Sequence, residues 1–368
     1  MVIGEEFIFP VQSEHCHGSS IIELPNGDLL ACWFQGSGER TADDVRIMGA
    51  RKKKESAQWS SPFVMADTEG IPDCNPILFL NNSGKLFLVW IAVQGNVWQG
   101  SVLVCKTSIN YLSSDCPLWE WQMPILLKPD NRFVEEIEKG FTAVKGNNNG
   151  WSEYALPYEK HILEAAKDPM KRSFGWMTRI KPLLFPDGRI VLPLYSDGFN
   201  LGLMALSDNN GETWRPSLPL VGRGPIQPAL ALCKNGEIIA YCRDSGDAPS
   251  RIWESRSTDR GETWSPATKT EIPSQASVEL LALRDGRFVL IVNNNPQGGR
   301  GKLSLLLSND ETKSWYSTVE IENDPEGSFS YPALIQAADG TLHLTYSYSK
   351  EGKKSIKHLT IDLSNTNK

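Results

Sequence analysis

Apolar runs broken by a short polar turn recur along this chain. The copies are IIELPNGDLLACW from Ile21, ILFLNNSGKLFLVW from Ile77, PLLFPDGRIVLPLY from Pro182, LALCKNGEIIAYC from Leu230, LLALRDGRFVLIV from Leu280 and LIQAADGTLHLTY from Leu334. A β-rich run, an NG, DG or SG turn and a second β-rich run form the strongest hairpin signal that sequence offers. Six such hairpins predict six equivalent β units.

A second element follows three of the hairpins. In SRSTDRGETWSP, residues Ser257, Asp259, Gly261 and Thr263 alternate and Trp264 closes the stretch; SDNNGETW (Ser207 to Trp214) and a decayed SNDETKSW (Ser308 to Trp315) repeat it. Asp and Gly build tight turns, Gly by accepting positive φ, and Trp enters a core. Self-similarity every fifty residues or so is the mark of a solenoid or propeller. The period predicts an all-β, six-bladed β-propeller.

Two places depart from the period. Gly84 and Gly188, the turn glycines of the second and third hairpins, lie about twice the usual distance apart. The excess contains KPDNRFVEEIEKG and ALPYEKHILEAAKD, whose apolar spacing suits short helices. This predicts a partly helical insertion between blades 2 and 3, at residues 118–172. At the other end, only SIKHLTIDL follows the last hairpin, so the last blade lacks an outer strand. The N-terminal EEFIFPV is expected to supply it and close the ring, making residues 1–368 one domain.

Composition narrows the function. With 40% hydrophobic residues and twelve Trp the core is ample, and a net charge of -7 argues against a nucleic-acid surface. The single basic run, Arg51 to Lys54, is expected at a solvated strand end. No apolar run reaches membrane-spanning length, and no basic stretch precedes an apolar core at the N-terminus. Seven cysteines without a CxxC pair suit free thiols and a cytoplasmic location. His15, Cys16 and His17 invite a metal test and fail it: neighbours on a strand point to opposite faces, and no second pair follows. No metal, organic cofactor or recognisable calcium loop is expected. The sequon Asn81-Asn82-Ser83 is expected to be idle. The oligomeric state is left open.

The S-x-D-x-G-x-T-W boxes and the six hairpins resemble the sialidase (neuraminidase) superfamily of six-bladed propellers, over nearly the whole chain apart from the insertion. The resemblance implies a central pocket for a carbohydrate, with three arginines around the substrate's carboxylate. Arg243 in IIAYCRDSG and Arg300 in GGRGKLSLLLSND match the second and third, against the alternative of surface or blade-linking ion pairs. Where the first would stand, in CHGSSIIELPNG, the chain has His17. The family's acid/base Asp lies in the loop matched by ERTADDVRIMGARKK. Asp44, or else Asp43, would then protonate the leaving oxygen and Arg40 would line the pocket, unless the two acids merely build a turn.

The family's nucleophile is a Tyr, matched by Tyr331 in GSFSYPALIQ, with a core aromatic as the alternative. The Glu that activates it is replaced by Gln227 in GPIQPALALCKNGE, and an amide takes no proton at neutral pH. Another carboxylate, Glu279, Asp197 or Asp244, would have to approach Tyr331. Asn75, Arg179 and Lys181 open other inner strands and are expected to line the pocket, with turn or solvated-strand roles as alternatives. The function implied is an exo-acting glycoside hydrolase for a terminal acidic sugar, sialic or a related ulosonic acid. The alternatives are a rhamnosidase or polysaccharide lyase of the same fold using His17 on a uronate-containing glycan, and a non-catalytic sugar-binding propeller.

Overall fold

The computed structural model describes residues 2–144, 158–246 and 248–364. Six antiparallel sheets follow one another along the chain and close into a ring, each a blade whose strands run from the axis outward in chain order. Their inner strands are His15–Glu23, Asp73–Leu80, the pair Met177–Thr178 and Leu183–Leu184, Pro225–Leu232, Glu279–Ala282 and Gly327–Gln336. Each blade face packs on a neighbouring blade, so its central strands are buried on both sides, while outermost strands such as Val2–Phe7 are largely exposed. This is why Leu29–Gly36 and Leu201–Ser207, buried at every position, read as unbroken apolar runs. The core is a set of layers between blades, such as Leu303, Leu305, Phe329 and Leu344 between blades 5 and 6.

The ring closes as the chain ends require. Blade 6 takes its third strand from Lys353–Ile361 and its outermost from Val2–Phe7, which pair antiparallel. Ring closure turns the inner strand edges onto the axis, where they cannot template association.

Chain direction sorts the connections onto two ends. The hairpin turns after the inner strands and the turns between third and fourth strands share one end. The loops between second and third strands, and the links between blades, share the other. At the first end the three Trp-closed boxes adopt one geometry. Ser257 Oγ donates to Asp259 Oδ1 (2.8 Å) and accepts from Gly261 N (2.8 Å), while Thr263 N donates to Asp259 Oδ1 (3.0 Å). Ser207 with Asn209, Gly211 and Thr213, and Ser308 with Asp310, Thr312 and Ser314, repeat these bonds. Trp264 is buried. Asn81 of the sequon builds the turn of its own hairpin, accepting from Ser83 N and Lys85 N.

The insertion contributes helices α1 (Arg132–Ala143) and α2 (Tyr158–Lys167); its residues 145–157 lie outside those described. The apolar stripe of α1 meets the outer side of blade 3, where Phe133 packs edge-on against Trp176 and Phe199. A Cβ on Gly140 would lie 2.5 Å from Val221, so only glycine allows this approach. Blade 3 has a fourth strand of only two residues, Arg215–Pro216, and the helices wall that side. The basic run departs from expectation at its first residue. Arg51 is buried, pairs with Asp28 at 3.4 Å and donates to the carbonyls of Tyr111 and Asp115, tying blade 1 to blade 2; Lys53 and Lys54 are exposed.

Candidate functional site

A repeated defect in the inner strands builds the site. In blades 1, 2, 4 and 6 the pairing with the second strand slips between His17 and Ser20, Cys74 and Ile77, Ile226 and Ala229, and Ser330 and Ala333. Within these bulges Gly18, Asn75, Gln227 and Tyr331 have φ of 63°, 51°, 53° and 58°. The last three are each followed by proline, which has no N–H and suits a rung where the ladder bond is missing. Left-handed backbone at a non-glycine residue costs of order 1 kcal/mol or more, so each of the three is a local strain held by its surroundings. The side chains they carry converge across the ring.

Tyr331, 9% exposed, is the centre of the convergence. Its Oη accepts from Arg243 Nη1 at 3.1 Å and, at 3.5 Å, from Gln227 Nε2. The Arg179 and Arg300 guanidinium carbons lie 4.9 and 5.5 Å from its ring centre, and the His17 ring lies 4.1 Å away. Five residues from blades 1, 3, 4 and 5 therefore meet around one phenol of blade 6. Arg179 is wholly buried, and its Nη1 and Nη2 donate to the carbonyls of Ser19 and Pro332, which makes it an axle between blades. Its Nε and the Gln227 Oε1 are buried without a partner. Asn75 Nδ2 donates to Tyr195 Oη at 3.1 Å, completing the floor.

The electrostatics follow from burial. Arg300 lies below its usual pKa because burial and Arg243 oppose its charge, while Tyr331 and Glu39 support it. The His17 imidazole is pushed down to about 3, first by burial; Glu39 opposes the shift, and Arg300, His15 and Arg179 add to it. His17 is neutral at pH 7. Tyr195 is pushed well up by burial and by Asp197.

The carboxylates at this end are arranged as follows. Asp197 pairs with Arg40 Nη2 at 2.7 Å, and the Arg40 guanidinium stacks 4.1 Å over Trp98, so Arg40 straps the blade 1 loop to blades 2 and 3. Glu279, 1% exposed, pairs with Lys181; burial raises its carboxyl above the usual range. Asp244 accepts from Gly246 N, Arg251 N and Trp253 Nε1 and pairs with Lys269. None of these three expected substitutes for the missing Glu hydrogen-bonds Tyr331 in the arrangement described. Asp44 and Asp43 are exposed. Asp44 accepts from Ser37 N (2.9 Å) and Ser37 Oγ, which lowers its carboxyl, and Asp43 accepts from Asn96 Nδ2 (2.8 Å). Asp44, or else Asp43, is expected to protonate the leaving oxygen; in the structure both bond within and beside their loop, as the turn alternative has it, and neither hydrogen-bonds Tyr331. Cavities of about 230 and 400 Å³ open at the opposite, Trp-box end, and no axial residue lines them.

The residues expected on inner strands, His17, Asn75, Arg179, Gln227 and Tyr331, are brought together with Arg243 and Arg300. Lys181 and Arg40 stand at the rim in ion pairs. Sequence reading missed Tyr195 and Glu39. Glu39 sits in the Ser37–Asp44 loop with Oε2 at 3.5 Å from His15 Nε2, and His15 and His17 hold its carboxyl below the usual range against the effect of burial. The signal for the bulges was present as a polar residue before proline in CNPILFL, IQPALAL and SYPALIQ. Among the described residues no three His, Cys, Asp or Glu side chains are placed to hold a metal, and Cys16 lies in the core against Ile8, Phe9 and Trp33. No helix among them is long and apolar enough to cross a membrane.

Comparison with known proteins places this geometry. A family model described as BNR repeat-like domain matches residues 27–142 and 167–344. No curated protein matches the chain. A protein of unknown function from Dyadobacter fermentans superposes with a TM-score of 0.71 at 14% identity over 98% of both chains. The NanB sialidase from Streptococcus pneumoniae gives 0.67 at 13% identity, over 97% of this chain and 70% of its own. The intramolecular trans-sialidase from Ruminococcus gnavus gives 0.68 at 12% identity, over 95% of this chain and 94% of its own. At these identities the likeness is one of fold: a sialidase-like six-bladed propeller.

Proposed function

Because this chain belongs to the BNR repeat-like domain family, we propose that it is a sialidase-like exo-glycosidase, releasing a terminal acidic sugar, sialic or a related ulosonic acid, from a glycan. One observation carries the reading: a phenol on an inner strand of the ring that accepts a bond from Arg243 at 3.1 Å and lies against Arg300 and His17. Arg300 has no carboxylate within ion-pair distance among the described residues, and burial disfavours its charge, so an incoming carboxylate relieves it. Guanidinium groups around Oη also meet the charge that develops there as the phenol attacks.

In this reading Arg243 and Arg300 hold the substrate carboxylate, which sets the anomeric carbon over Tyr331. Oη gives up its proton to a neighbouring base and bonds to that carbon, the glycosidic C–O bond breaks, and the leaving oxygen takes a proton from water. Water then hydrolyses the sugar–tyrosine bond. Asn75, Tyr195 and Gln227 floor the sugar, while Arg40 and Lys181 shape the rim.

A second reading draws on His17 and Gln227. A histidine against a tyrosine, with an amide where a carboxylate is expected, is also the equipment for removing a proton beside a uronate carboxylate and expelling the neighbouring glycosidic oxygen. Incubation with a fluorogenic sialoside and with uronate-containing glycans separates the readings. Release of free acidic sugar, lost in Tyr331→Phe, supports the hydrolase. Unsaturated uronate absorbance with no sugar release replaces it by the lyase, and saturable binding without turnover replaces both by a lectin-like propeller.

A further inference from the structure

We propose that Tyr331, His17 and Glu39 form a proton-transfer triad, in which His17 accepts the phenol proton and Glu39 balances the imidazolium. The inference rests on the glycosidase reading and supplies the base that reading lacks. Gln227 stands beside Oη and takes no proton. The other axial carboxylates are committed: Asp197 to Arg40, Glu279 to Lys181, Asp244 to three donors and Lys269. What touches the Tyr331 ring instead is the imidazole of His17, at 4.1 Å. Glu39 acts on that imidazole from beyond His15: its Oε2 is 3.5 Å from His15 Nε2, and the His15 ring centre is 5.9 Å from that of His17. A nucleophile, an imidazole and a carboxylate in sequence follow the general logic of nucleophile, base and orienting anion.

The proton count closes. As Oη bonds to the anomeric carbon, its proton passes to an imidazole nitrogen of His17. When water attacks the sugar–tyrosine bond, Oη leaves that carbon and recovers the proton from His17, while the attacking water loses its own to solvent. The same geometry gates the base. Burial and the charges of Arg300 and Arg179 hold His17 neutral, with Glu39 the opposing influence. A substrate carboxylate seated on Arg300 and Arg243 offsets those cations and makes His17 more basic. The base is thereby switched on by an acidic substrate, so a substrate whose carboxylate is replaced by a carboxamide loses kcat as well as affinity.

Two measurements test the triad. With the fluorogenic sialoside, His17→Ala and Glu39→Gln are expected to lower kcat at least about tenfold with KM within about threefold. Adding Gln227→Glu, which puts a carboxylate beside Oη, restores most of the loss in either variant. Unchanged kcat in Glu39→Gln, or no rescue of His17→Ala by Gln227→Glu, overturns the triad while leaving the hydrolase intact. The second readout needs no sugar: acetylation of Tyr331 by N-acetylimidazole, followed by peptide mass spectrometry. At least fivefold slower labelling in His17→Ala and Glu39→Gln supports the triad even where no sialoside is cleaved and the glycosidase reading falls. Equal labelling in all three proteins overturns it.

Discussion

The two ends of this propeller solve opposite problems with the same repeated backbone. At the Trp-box end, three turns with different side chains make one set of hydrogen bonds: Asn209 stands where the others have Asp, and Thr312 where they have Gly, yet the Ser–Asp/Asn–amide pattern is kept. At the axial end, one backbone bulge carries Gly18, Asn75, Gln227 and Tyr331, four residues with nothing in common but position. The turns bond their own backbone, and the polar atoms they leave buried without a partner, Asn210 Oδ1, Thr312 Oγ1 and Trp264 Nε1, are scattered over separate blades. The axis leaves Gln227 Oε1 and Arg179 Nε buried and unpartnered. Repetition that bonds its own backbone stabilises a fold, whereas varied polar side chains gathered on one phenol prepare for a ligand.

The contrast breaks most visibly under substitution at the two ends. Tyr331→Phe removes the oxygen that receives Arg243 but keeps the ring that packs against His17. Turnover of the fluorogenic sialoside is expected to fall roughly 10³-fold, with the thermal midpoint nearly unchanged. Asp259→Ala does the reverse. It deletes the acceptor for Ser257 Oγ, Thr263 N and Thr263 Oγ1, and is expected to cost about 1.5 kcal/mol of stability with kcat untouched. Denaturant melts and initial rates on the same preparations check both. A turnover loss in Asp259→Ala that exceeds its unfolded fraction would erase the distinction.

The same contrast explains what could be read from sequence. The hairpins, the boxes, the ring closure and the two helices are periodic or locally amphipathic features, in which each residue reports its own neighbourhood. Arg243, Arg300 and Tyr331 were legible through the resemblance, since they keep their places relative to hairpin and box. Glu39 was not. Its neighbours His15 and His17 lie on the strand before the hairpin, and nothing in GSGERTADD marks which acid turns inward and which caps Ser37. Arg51 misled for a related reason, because its partners Tyr111 and Asp115 come from the next blade. Alternation tells which face a residue is on, and long-range pairing decides what it meets there.

Blade 6 sharpens the comparison, because its outer strand comes from the other chain end and no connecting box can staple it. Side chains take that role: His358 donates from Nδ1 to Glu6 (2.9 Å), Lys52 donates to Glu6, and His343 Nδ1 meets His358 Nε2 at 3.0 Å. Both imidazoles cannot be protonated on the facing nitrogens. Burial and then His358 push His343 down to about 4, and burial lowers His358 as well. A histidine whose folded pKa is depressed holds fewer protons than in the unfolded chain. Its contribution is therefore complete above about pH 6.5 and is lost as pH falls toward 4. With His343 partly exposed, the loss is expected to be about 1 kcal/mol. Melts at pH 7.5 and 5 should show it in the wild type and a smaller one in His343→Gln; equal losses would assign the acid sensitivity elsewhere.

The smallest expected effect lies in the decayed box. Thr312 takes φ of 74°, where the matching Gly261 takes 88° without penalty. A β-branched side chain in left-handed backbone is strained, and the turn retains it because Thr312 N donates to Ser308 Oγ at 3.1 Å. Thr312→Gly keeps that donor and removes the strain, but it frees the unfolded chain, and the two effects nearly cancel. The expected net is a gain of about 0.5 kcal/mol. The equivalent change at the axis, Asn75→Gly, relieves similar backbone strain but deletes the donor to Tyr195, so it should stabilise less or destabilise while weakening sugar binding. Paired denaturant melts of the two variants measure the difference directly. A larger gain at Asn75 than at Thr312 would mean that the bulge strain, and not the polar contact it presents, dominates the axial end.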